Sequence, residues 1–338
     1  MELLMQLLDL NGPSGAEHNV RALIIKEIKK YVDEISVDKV GNVIAHHKGN
    51  GSRVMLAAHM DEIGLMVKNI NDHGFIEFAT VGNIEPITLI GQSVSIIDRK
   101  NNECCKGIIS FKKLHNDNEI KKIPQIHEMY IDTGLSKKEL KKKGIDIGNY
   151  IIPKHKSNYL GSKKIISGKA LDDRVGCYIL IKVIQMLKKS RLDAYYVFTV
   201  QEEVGLYGAK AAVYNINPDW GLAVDTTNCA DADTANIFGK GPFITIKDSE
   251  LITNMCLDDW LKAIGKKKKI AYQLEVSDIG TTDATNIMLS RGGVPSTVIA
   301  VPIRNLHSTI GIAHEDDINN AILLLYYLLK DPPKACLT

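Results

Sequence analysis

Apolar and polar positions alternate with changing period along the chain, and each change predicts an element. Residues 1–30 are helical in pattern, interrupted at Gly12-Pro13-Ser14-Gly15. Val54 to Ala58 is an apolar run with no polar face, which predicts a strand buried on both sides. From about 67 to 158 the texture differs. Short alternating segments (Val94 to Ile97, Lys106 to Phe111) are separated by turn-rich breaks at Asn71-Asp72-His73-Gly74 and Asn116-Asp117-Asn118, with one lysine-rich helical piece from about Ser136 to Lys143. After Leu160 the pattern predicts an amphipathic helix over Asp172 to Lys189. A strand–helix rhythm comes next: Tyr195 to Val200, a helix near Gly208 to Val213, Gly221 to Val224, a helix near Ser249 to Ile264, Ile270 to Leu274, a helix over Thr282 to Ser290, Ser296 to Val301, and a last helix over Glu315 to Leu329. This reads as an α/β fold, an α/β/α sandwich with a mixed, partly parallel sheet, carrying an inserted small mostly-β domain. The expected division is 1–66 with 159–338 for the main domain and 67–158 for the insert.

Composition narrows the class without naming a function. With 338 residues, 45% hydrophobic and 24% charged, the chain can bury a large core without staples. Its 42 basic and 40 acidic residues leave a formal net charge of +2, so nothing pulls it toward nucleic acid or anionic membrane. The lysine runs at 137–143 and 266–269 lack interleaved aromatics and read as solvated helix ends or loops. The six cysteines form no CxxC pair and read as free thiols of a reducing compartment. The N-terminal MELLMQLLDL has no basic leader, and the apolar run AILLLYYLL is shorter than the ~20 residues of a membrane span. A cytoplasmic protein without membrane partners is the expectation.

The chemistry lies at the carboxyl end of each apolar run. Val54 to Ala58 ends in His59-Met60-Asp61, Tyr195 to Val200 in Gln201-Glu202-Glu203, and Gly221 to Val224 in Asp225. His307 comes shortly after Ser296 to Val301, and Ala170-Leu171-Asp172-Asp173 opens the long helix. Ligands of open α/β sheets bind outside the carboxyl ends of the strands. Taken singly, each of these residues has a plain structural reading: a satisfied polar side chain, a surface Glu-Glu pair, a helix cap. Together they place two histidines and several carboxylates on one rim, where like charges repel unless cations neutralise them. That is a ligand set for Zn, Co or Mn.

The segments Ala58-His59-Met60-Asp61-Glu62-Ile63-Gly64, Lys169-Ala170-Leu171-Asp172-Asp173-Arg174, Gln201-Glu202-Glu203-Val204-Gly205, Ala223-Val224-Asp225 and Arg304-Asn305-Leu306-His307-Ser308 occur in this order. With Pro13-Ser14-Gly15, Gly239-Lys240-Gly241-Pro242 and Ser290-Arg291-Gly292-Gly293-Val294-Pro295, they resemble the M42 family of metallo-aminopeptidases, nearly end to end. The resemblance implies an aminopeptidase that releases N-terminal residues from short peptides, with a bridging water on a two-metal centre. Asp172 would bridge two divalent metal ions; His59 and Asp225 would complete one site, Glu203 and His307 the other. Glu202 would be the general base. Asp61 would orient the ring of His59, and residues two apart on a strand do point the same way. A cis peptide between Asp172 and Asp173 is also implied. Relatives form homo-oligomers, dimers built through the insert that can assemble into a hollow tetrahedral dodecamer.

The chain departs from the family pattern at Asn305 (often Tyr), Gly311 (often Glu) and Thr281 (often Gly), none of them an expected ligand. These positions bear on specificity and rate. A metal-dependent deacylase or carboxypeptidase on the same architecture remains an alternative, as does a non-catalytic metal-binding scaffold; an intact base beside an intact ligand set argues against the scaffold.

Overall fold

The computed structural model describes residues 1–111, 123–187, 190–229 and 238–332. Two helices, α1 (Glu2–Asp9) and α2 (His18–Ile28), precede β1 (Glu34–Val37), β2 (Val43–His47) and β3 (Arg53–His59). Six strands come after them: β4 (Gly64–Ile70), β5 (Ile76–Val81), β6 (Ser93–Ile97), β7 (Glu103–Phe111), β8 (Met129–Asp132) and β9 (Tyr150–Pro153), with α3 (Lys137–Lys142) between the last two. Then come β10 (Asn158–Leu160), β11 (Ser162–Gly168), α4 (Leu171–Met186), β12 (Asp193–Thr199), α5 (Tyr207–Ile216), β13 (Trp220–Asn228), β14 (Phe243–Lys247) and α6 (Met255–Lys268). The chain ends with β15 (Gln273–Val276), α7 (Asp283–Met288), β16 (Ser296–Arg304), β17 (Gly311–His314) and α8 (Glu315–Lys330).

Eleven strands make one mixed sheet, ordered β1-β2-β12-β3-β13-β16-β17-β11-β10, with β14 and β15 branching from β16. Its centre, β12-β3-β13-β16, is parallel throughout. Period-2 geometry explains the unbroken apolar run of β3. Val54, Leu56 and Ala58 enter the core under α1, α2, α4, α6 and α8, while Met55 and Ala57 meet α5 and α7 on the other face. The α/β/α layering expected from the rhythm is therefore present. A separate sheet, β4-β5-β8-β7-β6-β9, closes into a small antiparallel barrel around Leu65, Phe78, Val94, Ile96 and Ile131. The turn-rich break predicted at 71–74 is the turn of an antiparallel hairpin that joins β4 to β5; the break at 116–118 lies outside the described residues.

Some expectations shift. The helix over 172–189 is not amphipathic: Asp173 to Ile181 is buried without interruption, because α4 lies between the sheet and helices α1, α2 and α8. Helix α6 starts at Met255, not near Ser249, since the Asn254 side chain caps it by accepting from the Cys256 and Leu257 amides. Lysine-rich α3 and the end of α6 are solvated, as their composition suggests; α3 is closed by a Ser136–Glu139 capping box, with Leu140 buried. Cys256 is disulfide-bonded, which corrects the reading of six free thiols, while Cys104, Cys105 and Cys177 are free. No helix among the described residues is long and apolar enough to cross a membrane.

Candidate active site

Parallel register brings the candidate residues to one rim. Thr199 at the end of β12 pairs with His59 at the end of β3. Ala223 pairs with Ala57, so Asp225 and His59 lie level beyond the last pair. Backbone strain marks the same rim: Ala170, Gln201, Asn305 and His307 have φ of 53°, 54°, 57° and 55°, a region non-glycine residues seldom occupy. The Asp172–Asp173 peptide is cis.

Asp172 is central. Its Oδ1 lies 3.2 Å from His59 Nε2 and its Oδ2 lies 3.5 Å from His307 Nε2, so each oxygen faces a different histidine. Ligand atoms of His59, Asp172 and Asp225 all fall within 4.8 Å of one another. Glu203, Asp172 and His307 line one narrow, open cleft, together with Ile63, Leu171, Ile303 and Leu306. Glu202 Oε2 approaches His59 Nε2 to 3.7 Å. Asp61 sits behind His59: its carbonyl oxygen is 3.3 Å and its Oδ1 3.4 Å from Nδ1, which holds Nδ1 as the donor and leaves Nε2 to face Asp172.

The site calls for positive charge. Burial, reinforced by neighbouring carboxylates, pushes Glu202, Glu203, Asp225 and Asp173 well above the usual carboxylate range. Burial pushes Asp283 up to about 6, against a hydrogen bond from Thr199. Burial opposes ionisation of Asp172 too, yet His307 and His59 hold its carboxyl below the ordinary range. At His59 burial disfavours the charged ring, but Glu202, Asp172 and Asp61 outweigh it and draw a proton on. Glu203 Oε1 is buried without a hydrogen-bond partner. An orphaned carboxylate oxygen, converging carboxylates and two histidines fit divalent cations.

The chain belongs to the M42 glutamyl aminopeptidase family. That family's model matches residues 41–324. A putative aminopeptidase of Acetivibrio thermocellus is 41% identical over 96% of both chains. Among solved structures, an aminopeptidase from the archaeon Desulfurococcus kamchatkensis superposes with a TM-score of 0.95 at 37% identity, covering 100% of this chain and 96% of that one. The TET1 peptidase of Pyrococcus horikoshii, described as assembling into a tetrahedron or a large octahedral shell, gives 0.88 at 32%, covering 97% and 98%. Membership makes the chain a hydrolase of the aminopeptidase class. It also accounts for the mixed sheet and separate barrel.

Within this M42 site, several residues to which the sequence assigned no ligand or catalytic role do structural work. Asp173 folds back so that its Oδ2 accepts from the His59 amide at 3.2 Å and its Oδ1 from the Gly176 amide at 2.9 Å. A Cβ at position 176 would lie 2.3 Å from Asp173 Oδ2, so any side chain there would push Asp173 off these two amides. Thr199 Oγ1 donates to Asp283 Oδ2 at 2.6 Å, which fastens α7 to the end of β12. Glu62 accepts from Lys169 Nζ at 2.7 Å and from the Gly12 amide at 2.8 Å, and Arg174 donates to the Met60 and Leu7 carbonyls. The adjacency of Asp173 to Asp172 and of Glu62 to Asp61 was the only local signal; the contacts of Asp173 with His59 and of Glu62 with Lys169 each span more than a hundred residues.

Proposed function

We propose that the protein is a metal-dependent aminopeptidase acting on short peptides through a two-metal centre. The observation that carries this is Asp172, whose two oxygens face different histidines. His59, Asp172 and Asp225 would hold one cation; Asp172, Glu203 and His307 would hold the other. The mixed imidazole and carboxylate set suits Zn, Co or Mn. Two divalent ions there would supply the charge that acidifies a shared water and polarises a peptide carbonyl. The chain's own residues do the rest. Glu202, mostly buried and 3.7 Å from His59 Nε2, would take a proton from the attacking water on its carboxylate and pass it to the leaving amine. Asp61 keeps His59 in the ligating tautomer. Ile63 and Leu306, the partly exposed apolar residues of the cleft, would face a substrate side chain.

Free and N-acetylated short peptides, assayed on chelated and metal-reconstituted protein, test the reading. Only free N-termini should be trimmed, one residue at a time and only with metal, with aliphatic residues preferred over Glu or Lys. Deacylation, or release from the other end, would transfer the site to the deacylase or carboxypeptidase alternative.

The main domain, 1–66 with 159–338, would then carry catalysis. The insert, 67–158, would build a homodimer, with assembly toward a dodecamer suggested by likeness to a TET1 structure described as a dodecamer. Sedimentation should give a dimer or larger at micromolar concentration with metal present. A monomer would remove this part.

A further inference from the structure

The loop between α1 and α2 carries a motif, Pro13-Ser14-Gly15, with no place in the ligand set. It lies behind the turn that bears Glu202. Ser14 Oγ donates to Asp61 Oδ2 at 2.6 Å. Asp61 in turn accepts the main-chain amides of Glu202 on Oδ1 at 3.0 Å and of Glu203 on Oδ2 at 3.2 Å. The next amide back, Gln201, donates to Glu17 Oε1 at 3.2 Å, the same oxygen that accepts the Gly15 amide at 2.7 Å. Three consecutive amides of one turn therefore end on two carboxylates, and one loop supplies or supports both. Ser14 is 6% and Glu17 3% exposed, so water cannot substitute for either.

The geometry of the turn explains why it needs holding. Gln201 has φ of 54°, which costs energy for a non-glycine residue and is kept only where surroundings over-determine it. The loop is itself tied down. Tyr150 Oη, from β9 of the barrel, donates to the Ser14 carbonyl at 2.9 Å, and Asn101 Nδ2 donates to the Ala16 carbonyl at 3.1 Å. Gly15, with φ of 90°, leaves room that a Cβ would close, since that atom would lie 2.9 Å from Tyr150 Oη.

We infer that Ser14 and Glu17 are positioning residues that set the Gln201–Glu203 turn and thereby aim the Glu202 carboxylate. Neither faces the cleft that Glu203 and Asp172 line, so their effect passes through main-chain hydrogen bonds. The inference rests on Glu202 as proton carrier. A general base must sit within hydrogen-bond reach of its proton, and a displacement of about 1 Å can cost about 100-fold in rate.

The test is steady-state kinetics on the full-length, metal-loaded enzyme with a short free peptide, alongside elemental analysis and thermal melting. Ser14→Ala and Glu17→Ala should each lower kcat about 10- to 100-fold, with KM changed less than about twofold. Metal content should stay close to wild type, and the melting temperature should fall by no more than about 10 °C, leaving the enzyme fully folded at assay temperature. Ser14→Thr and Glu17→Gln, which keep the donor and one acceptor oxygen, should recover most of the rate. Tyr150→Phe, which touches neither carboxylate, should give a smaller fall in kcat. In a Glu202→Gln background, Ser14→Ala should add nothing, because positioning a residue that no longer acts has no effect. Wild-type kcat in both alanine variants would overturn the inference. So would an additive loss in the double variant, or a loss that follows metal or folded fraction. A Glu202→Gln enzyme with wild-type rate would instead remove the underlying assignment, and the single variant reports that separately.

Discussion

Glu202→Gln is expected to keep its metal and lose about 10²- to 10⁴-fold in kcat, the usual contribution of a general base. The substitution preserves shape and the main-chain amide that Asp61 accepts at 3.0 Å. It leaves His59, Asp172, Asp225, Glu203 and His307 in place, so the proposed ligand set is intact. Only the ability to take and return a proton is removed. The carboxylate is 3.7 Å from His59 Nε2, mostly buried, and crowded by Asp225 and Glu203. Elemental analysis with kcat/KM on one preparation checks both halves. Retained wild-type turnover would show that another group carries the proton. Loss of metal would make Glu202 a ligand.

Asp172→Ala is expected to lose both metals and with them all measurable turnover. Removing an outer partner of a ligand typically weakens metal affinity about 10- to 100-fold, and a shared ligand should cost more because it serves both positions. Here the carboxylate also sits between two histidines that its charge holds in place, at 3.2 Å and 3.5 Å. With it gone, His59 keeps Asp61 behind it but loses the group in front, and His307, partly exposed, loses the carboxylate that pairs with its ring. Two metals per chain in this variant, by elemental analysis, would refute the bridging role.

Much of this site was legible because strand ends are simple to read. Val54 to Ala58 has no polar face, so His59 must mark where the strand leaves the sheet, and parallel order then carries Glu202, Asp225 and His307 to the same rim. The supporting residues were not legible in that way. Ser14 meets Asp61 across 47 residues and Asp283 meets Thr199 across 84, contacts that no local period encodes. Element limits moved where side-chain chemistry overrode pattern. Asn254 delays α6, and Lys269 in the left-handed conformation sends Ile270 back onto the Gly265 carbonyl, so β15 begins at Gln273 rather than Ile270. The disulfide at Cys256 had no local signal either, since no neighbouring cysteine stands near it in sequence. Closure of the barrel came from pairing between strands as distant as β4 and β9, which alternation alone leaves open.

Asp172 is proposed to join two cations. Anomalous scattering from crystals grown with zinc or cobalt measures this directly. Two peaks about 3.5–4 Å apart are expected, one beside His59 and Asp225, the other beside Glu203 and His307, with Asp172 between them. A single peak, or a pair that Asp172 does not touch, would contradict the claim.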